Sequence, residues 1–484
     1  MRGSLQTAAV TLTRVVLLAG PSALAFFSGG FFDTPRTVAA VVAWALVALL
    51  ALAGGILPLP RSLGGRVALC ALALLAGWTA LSASWAPLEG PAQDDTVRLL
   101  LYLGALMAGV AAWADRAAAR ALEPALAAGV LVVIGYSLVG RVLPGLADFA
   151  ASESANARLE QPLTYWNAMG ALAAIGLLLS IRLMGDLTRA RALRIAAAGA
   201  VAPLAAGLYL TLSRGAVAAL LLGLVLLVLL EPSRAQLRAI ALALGAAVLA
   251  AWAASVFAEV ESLVGSASQR QGEGAAVLAL LVGVIVLAAL AHWALTRSDP
   301  VTEPPLPRAS AALLGSIAAL VIALPLSAMA IDAVAPSEGD VVVARNTTAF
   351  GSNRYSYWEV AAGTFAEHPL RGAGSGSFRV EWERERDIDE VVRDAHSLYI
   401  ETGAELGLVG LALLAAFLAG LLACARRAYA RDATLVTGWC GALAVLALHA
   451  GLDWDWEMPA LAGIGIVLGG ALICVAGRDQ PPEL

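Results

Sequence analysis

Apolar runs of roughly 20 residues recur along this chain, separated by short polar joints. A run of that length crosses a hydrocarbon core about 30 Å thick as a single helix. The pattern predicts about fourteen spans, centred on 15–32, 37–57, 67–86, 97–114, 122–143, 168–184, 194–212, 215–230, 239–258, 275–295, 310–333, 400–424, 433–451 and 459–476. The 215–230 run is short, and residues near 145–167 read as partly re-entrant, so the expected total is 12–14. The expected fold is all-α, a polytopic transmembrane helical bundle.

One polar stretch, roughly Ala335 to Ser397, interrupts this pattern and is far longer than an ordinary connector. Within it, Tyr355 to His368 reads as a short helix, with Trp358, Ala361, Ala362 and Phe365 at helical spacing and Pro369 as its stop. Gly372, Gly374 and Gly376 read as a flexible turn that lets the loop fold over a substrate. Phe378 to Arg393 alternates charge and shows no deep apolar stripe. The chain thus divides into N-terminal helices 1–158, central helices 159–334, an extracytoplasmic loop 335–397 and C-terminal helices 398–484.

Composition removes several classes of function. Of 484 residues, 60% are hydrophobic and 14% charged, against about a quarter charged in soluble domains. A polytopic membrane protein follows. All 31 basic residues are Arg, and the net charge of −5 leaves no basic footprint for nucleic acid. Cys70, Cys424, Cys440 and Cys474 lie far apart in apolar runs, which suits buried free thiols and no metal site. Residues 1–14 lack a small-residue cleavage site, so the first run reads as an anchor.

Arginine placement orients the bundle, because short cytoplasmic loops collect positive charge. One set of joints holds Arg61 and Arg66, Arg116 and Arg120, Arg182 to Arg194, Arg234 and Arg238, Arg297 and Arg308, and Arg426 to Arg431. The alternate set holds Asp33, Glu89 to Asp95, Asp148 to Glu160, Glu259 and Glu261, and Asp453 to Glu457. Both termini are therefore expected in the cytoplasm, with the polar stretch on the outer face.

Candidate chemistry clusters on that face. His396 stands beside Asp394, just before a span, and reads equally as a general base or as a hydrogen-bonded structural residue. Arg214 lies between two apolar runs with almost no loop around it, where an ionisable residue is expensive. It suits a diphosphate, whose oxygens a guanidinium grips in a fork, or it snorkels to the headgroups. Arg354, four residues before Trp358, is either a phosphate contact or a solvated charge. Arg379, Arg384, Arg386 and Arg393 alternate with acids and read mostly as a solvated face, with one phosphate contact among them. His368, before Pro369, suits a helix cap. In Asp453-Trp454-Asp455-Trp456-Glu457 the Trp residues suit interfacial anchoring, while the acids suit orienting an Arg or contacting sugars.

Four pieces in order resemble the O-antigen ligase/polymerase superfamily. They are Pro162-Leu163-Thr164-Tyr165-Trp166-Asn167, then Ser213-Arg214-Gly215, then Arg354-x-x-x-Trp358 with His368-Pro369-Leu370-x-Gly372-x-Gly374-x-Gly376-x-Phe378. The last is His396-Ser397 followed, after nine residues, by Gly407-x-x-Gly410. The resemblance implies inverting glycosyl transfer from an undecaprenyl-diphosphate-linked glycan to a lipid, glycan or protein acceptor outside the membrane, with no metal or nucleotide cofactor. It implies that Arg214 and Arg354 hold the diphosphate and that His396 aligns or deprotonates the acceptor. Tyr165, Asn167, Trp358 and Arg393 are implied as substrate-binding residues. Two enzymes fit, a ligase that transfers a finished polymer and a polymerase that extends lipid-linked repeats. A transporter or flippase calls for mid-membrane charges and internal repeats, and fits the sequence less well.

Overall fold

The computed structural model describes residues 2–54, 57–147, 149, 152–263, 266–299 and 353–478. The expected span at 310–333, Arg308, and the first part of the polar stretch lie outside the described residues. Among these, the chain forms helices and no strand. The first group is α1 (Arg2–Ala25), α2 (Asp33–Gly54), α3 (Leu63–Ser82), α4 (Glu89–Ala112), α5 (Arg116–Arg120) and α6 (Leu122–Val142). The second is α7 (Trp166–Gly185), α8 (Arg191–Thr211), α9 (Arg214–Leu230), α10 (Arg234–Ser255), α11 (Ala258–Ser262) and α12 (Ala267–Thr296). After the polar stretch opens come α13 (Arg354–Glu367), α14 (Phe378–Glu385), α15 (Leu398–Arg431), α16 (Ala433–Ala450) and α17 (Pro459–Ala476).

Among the described residues, 12 helices are long and apolar enough to cross a membrane. They match twelve of the fourteen expected runs. The run at 215–230 forms α9, whose 17 residues fall short of that length; at 1.5 Å per residue it reaches about 25 Å. Two helices form the interior. The apolar stretch of α7 is 100% buried and that of α17 89% buried. Small residues allow such close approach: a β-carbon on Gly109 of α4 would sit 3.2 Å from the Cα of Gly470 on α17.

Several arginines of the basic joints form ion pairs. Arg189 reaches Glu123 at 2.6 Å and Asp186 at 3.1 Å, and Arg182 reaches Glu231 at 2.8 Å. Arg194 and Arg238 share Asp299 at 2.9 and 2.6 Å, and Arg116 meets Asp432 at 2.7 Å. The helix α7 runs from this network to the functional site; its 20 residues span about 30 Å.

The polar stretch folds into a cap with its own small core of Tyr357, Ala361, Phe378, Trp382, Val392, Ala395 and Ala404. Two expectations need correction. Phe378 and Trp382 are fully buried, so the charge-alternating segment does carry an apolar face. The face is only one helical turn long, and the flanking charges mask it in the sequence. The glycine run is also not a free flap. The Ala373 N–H donates to the Ala404 carbonyl at 3.0 Å and that of Gly374 to the Glu405 carbonyl at 2.8 Å. The Glu405 carboxylate accepts the Gly376 and Phe378 N–H groups at 2.8 and 3.0 Å. Across this seam α15 kinks at Gly407 (φ 64°), where the Leu408 N–H reaches the Pro369 carbonyl at 2.8 Å. The run therefore fastens the cap to the bundle.

Candidate active site

Four helices begin around one cavity. Trp166, Arg214 and Arg354 are the first residues of α7, α9 and α13, and His396-Ser397 immediately precedes α15. Local signals explain three of these starts. Tyr165 enters α7 from an extended conformation; Ser213 caps α9 by accepting the Ala216 N–H at 3.3 Å, and Ser397 caps α15 through the Ile400 N–H. Between them lies a cavity of about 930 Å³ lined by Tyr165, Trp166, Asn167, Arg214, Arg354, Arg393, Asp394, His396 and Trp454, among others. Helix N-termini present unpaired N–H groups and partial positive charge. Four of them, with arginines at two heads, make a site for a polyanion.

His396 adopts left-handed backbone geometry, φ 55°. Its Nδ1 lies 2.9 Å from the backbone carbonyl of Asp394. A carbonyl can only accept, so Nδ1 carries the hydrogen, and in the neutral form of the ring Nε2 keeps the lone pair. The ring is half-buried and packs beside Tyr357, with centroids 5.3 Å apart. Tyr357 is fixed in turn by donating to Glu390 at 2.9 Å. A neutral imidazole with a free nitrogen on the cavity wall can accept a proton from a hydroxyl.

Arg354 donates to Asp453 at 2.5 Å, and the same carboxylate accepts the Tyr165 hydroxyl at 2.7 Å. Asn167 donates to that hydroxyl at 2.9 Å. Burial, the largest influence, favours the neutral form of Asp453, but the Arg354 guanidinium, leading several neighbouring groups that act together, holds the carboxyl below its ordinary range. Burial acts against the charge of Arg354 as well, and Asp453 leads the neighbours that more than restore it. Burial and the neighbouring Asp453 hold the Tyr165 phenol well above its usual range. The network is an ion pair with a neutral phenol attached. It fixes one arginine, one tyrosine and one amide in a single arrangement.

Six of the seven residues singled out in the sequence line this cavity: His396, Arg354, Arg214, Tyr165, Asn167 and Arg393. Arg393 is exposed at its edge. Trp358 stands behind the wall, where its indole donates to the Ala395 carbonyl at 3.0 Å, one residue before His396. It therefore buttresses the His396 segment and does not face the substrate space. His368 closes α13, its N–H donating to the Thr364 carbonyl.

The sequence reading undervalued Asp453, which ranked below Trp anchoring; it is 1% exposed and orients an arginine. Trp454 lies in the cavity wall against Tyr165 and Phe31, with centroids 4.5 and 5.3 Å apart. Beneath Gly215, His449 and Asp455 form a second buried contact at 2.5 Å. Arg158 was missed altogether. Among the described residues, no group of three or more His, Cys, Asp or Glu side chains is arranged to hold a metal ion.

Residues 271–415 match the family model described as O-antigen ligase. That stretch contains Arg354 and His396, while Tyr165, Arg214 and Asp453 reach the cavity from outside it. No curated protein matches the chain.

Proposed function

We propose that this chain, a multi-pass membrane protein of the O-antigen ligase/polymerase superfamily, moves a glycan from undecaprenyl diphosphate to an acceptor hydroxyl on the extracytoplasmic face. One observation carries the reading: His396, Arg354 and Arg214 come from three distant segments and share a single cavity ringed by helix N-termini. The donor's diphosphate lies against those N-termini, between Arg214 and Arg354. Its polyprenyl tail remains in the bilayer.

The acceptor hydroxyl approaches the anomeric carbon from the face opposite the diphosphate. As the new C–O bond forms, His396 Nε2 takes the hydroxyl proton, and the anomeric C–O bond to the diphosphate breaks with inversion. The electron pair goes to the departing diphosphate, where Arg214, Arg354 and the helix ends offset the growing charge. All the charge stabilisation in this scheme comes from groups on the chain. The acidic joints face outward in this arrangement, and both termini lie on the cytoplasmic side of the inner or plasma membrane.

The test is the pool of undecaprenyl-diphosphate-linked glycans in cells lacking the protein. Long chains accumulating on the carrier support a ligase, and single repeats accumulating instead identify a polymerase. A pool and surface polysaccharide both unchanged from wild type overturn the proposal.

A further inference from the structure

Arg158 lines the same cavity in an unusual setting. It follows a short turn, Glu153–Ala155, whose lead residue Ser152 accepts the Ala155 N–H at 3.2 Å. Two residues of the turn, Asn156 (φ 45°) and Ala157 (φ 64°), take left-handed geometry. For an alanine that conformation is strained, and the buried Arg141 holds it by bonding the Ala157 carbonyl.

The turn delivers the Arg158 side chain over Trp166, with its guanidinium carbon 3.7 Å from the ring centre. Nε donates to the Ala155 carbonyl at 2.7 Å and Nη2 to the Ser154 carbonyl at 2.8 Å. The nearby acid, Glu160, is engaged by Ser152, accepting its N–H at 2.5 Å and its hydroxyl at 2.7 Å. Among the described residues, no carboxylate lies within ion-pair distance of Arg158. Burial accordingly pulls its guanidinium below the ordinary arginine range.

A half-buried cation without an acid is costly. Here a strained turn, two carbonyls and an aromatic face hold it in position on a cavity wall. Its Nη1 hydrogens have no protein partner among the described residues. Planar stacking with a free edge is what arginine offers and lysine does not.

We propose that Arg158 is a further anion-binding residue of this cavity, contacting a charged oxygen group of the substrate. The inference rests on the glycosyl-transfer reading for the identity of that substrate. Two sources share the chemistry: the carrier's diphosphate, and a carboxylate or phosphate borne by the glycan.

The full chain in zwitterionic lipid nanodiscs tests this with three probes: farnesyl diphosphate, tri-galacturonate and neutral maltotriose. Arg158→Gln is expected to weaken one of the anionic probes about tenfold or more and to leave maltotriose unchanged. A loss confined to farnesyl diphosphate assigns the contact to the carrier, and one confined to tri-galacturonate assigns it to the glycan. Unchanged affinity for both anions overturns the inference, as does a wild-type protein that binds neither. If the variant does not fold, phenylglyoxal modification of wild-type Arg158 decides: slowing by an anionic probe supports the contact, and an unaltered rate overturns it. Transfer from a polyprenyl-diphosphate donor by the wild type is scored separately, so loss of the enzymatic reading and loss of the Arg158 contact are distinguishable.

Discussion

Asp453 Oδ2 lies 2.5 Å from Arg354 Nη2, joining the turn before α17 to the head of α13 across 99 residues of sequence. The carboxylate is 1% exposed and the guanidinium 18%. Removing the partner of a buried charge costs about 3–5 kcal/mol, so Asp453→Ala should lower both stability and activity. Asp453→Asn keeps the shape and removes the charge. It should remain folded, by thermal unfolding in detergent, while losing glycan transfer by about tenfold or more. Tyr165→Phe should combine with it less than additively, because both substitutions disturb one network. Strict additivity of the two would show that the residues act separately.

The sign of the Asp453 shift sets a pH window. Its folded-state pKa is depressed below the ordinary Asp value of about 3.9, burial being outweighed by Arg354 together with the other groups around it. Its contribution to stability is therefore fully present above the unfolded-state value and is lost only as pH falls through the lower folded one. Between about pH 5 and 8 the Arg354–Asp453 pair should stay charged. Asp453→Asn should then reduce the transfer rate at every pH across that range. A variant that keeps wild-type rates anywhere in it would show that the charged pair is not needed for turnover.

His396 and the arginines make separable contributions. His396→Ala should still insert and fold, at some cost from placing alanine at a left-handed position (φ 55°), because the ring is half-buried and its one backbone partner is local. A lost general base typically lowers rate about 10²–10⁴-fold, and farnesyl diphosphate affinity should hardly change. Arg214→Ala and Arg354→Ala should lower both rate and that affinity. Transfer assays paired with probe binding separate the two patterns. Full activity in His396→Ala would remove that residue from the mechanism.

Much of this arrangement was legible in the sequence, and the gaps have physical causes. Span lengths gave the bundle, because bilayer thickness acts on segments that are local in sequence. His396 and Arg214 stood out because each is an ionisable residue at the edge of an apolar run, and Arg354 because it stands four residues before Trp358 at the start of the loop helix. Asp453 was seen as a possible partner for an arginine, but its burial depends on α13 packing over it, which no spacing encodes. Phe378 and Trp382 were hidden because two apolar residues four apart do not rise above the charges around them. Arg158 was missed because its isolation from acids is a three-dimensional fact.

The cap holds both Arg354 and His396, so its attachment should control activity from a distance. Gly372 has φ 69°, and a β-carbon there would lie 2.2 Å from the Glu405 carbonyl carbon. Gly372→Ala therefore combines backbone strain, worth about 1–3 kcal/mol, with a collision against backbone that cannot swing aside. Gly363 lies within α13 with open space at its β-carbon position, and alanine there should stabilise by about 0.5–1 kcal/mol. The first substitution should lower the unfolding temperature and increase cleavage of the cap by added protease. Its transfer activity should fall with cap docking, while Gly363→Ala keeps wild-type activity. Docking matters because the two arginines proposed to bind the diphosphate head different parts of the fold: Arg214 a bundle helix and Arg354 a cap helix. A Gly372→Ala protein with an undocked cap and unimpaired transfer would show that the two need not be held together by this seam.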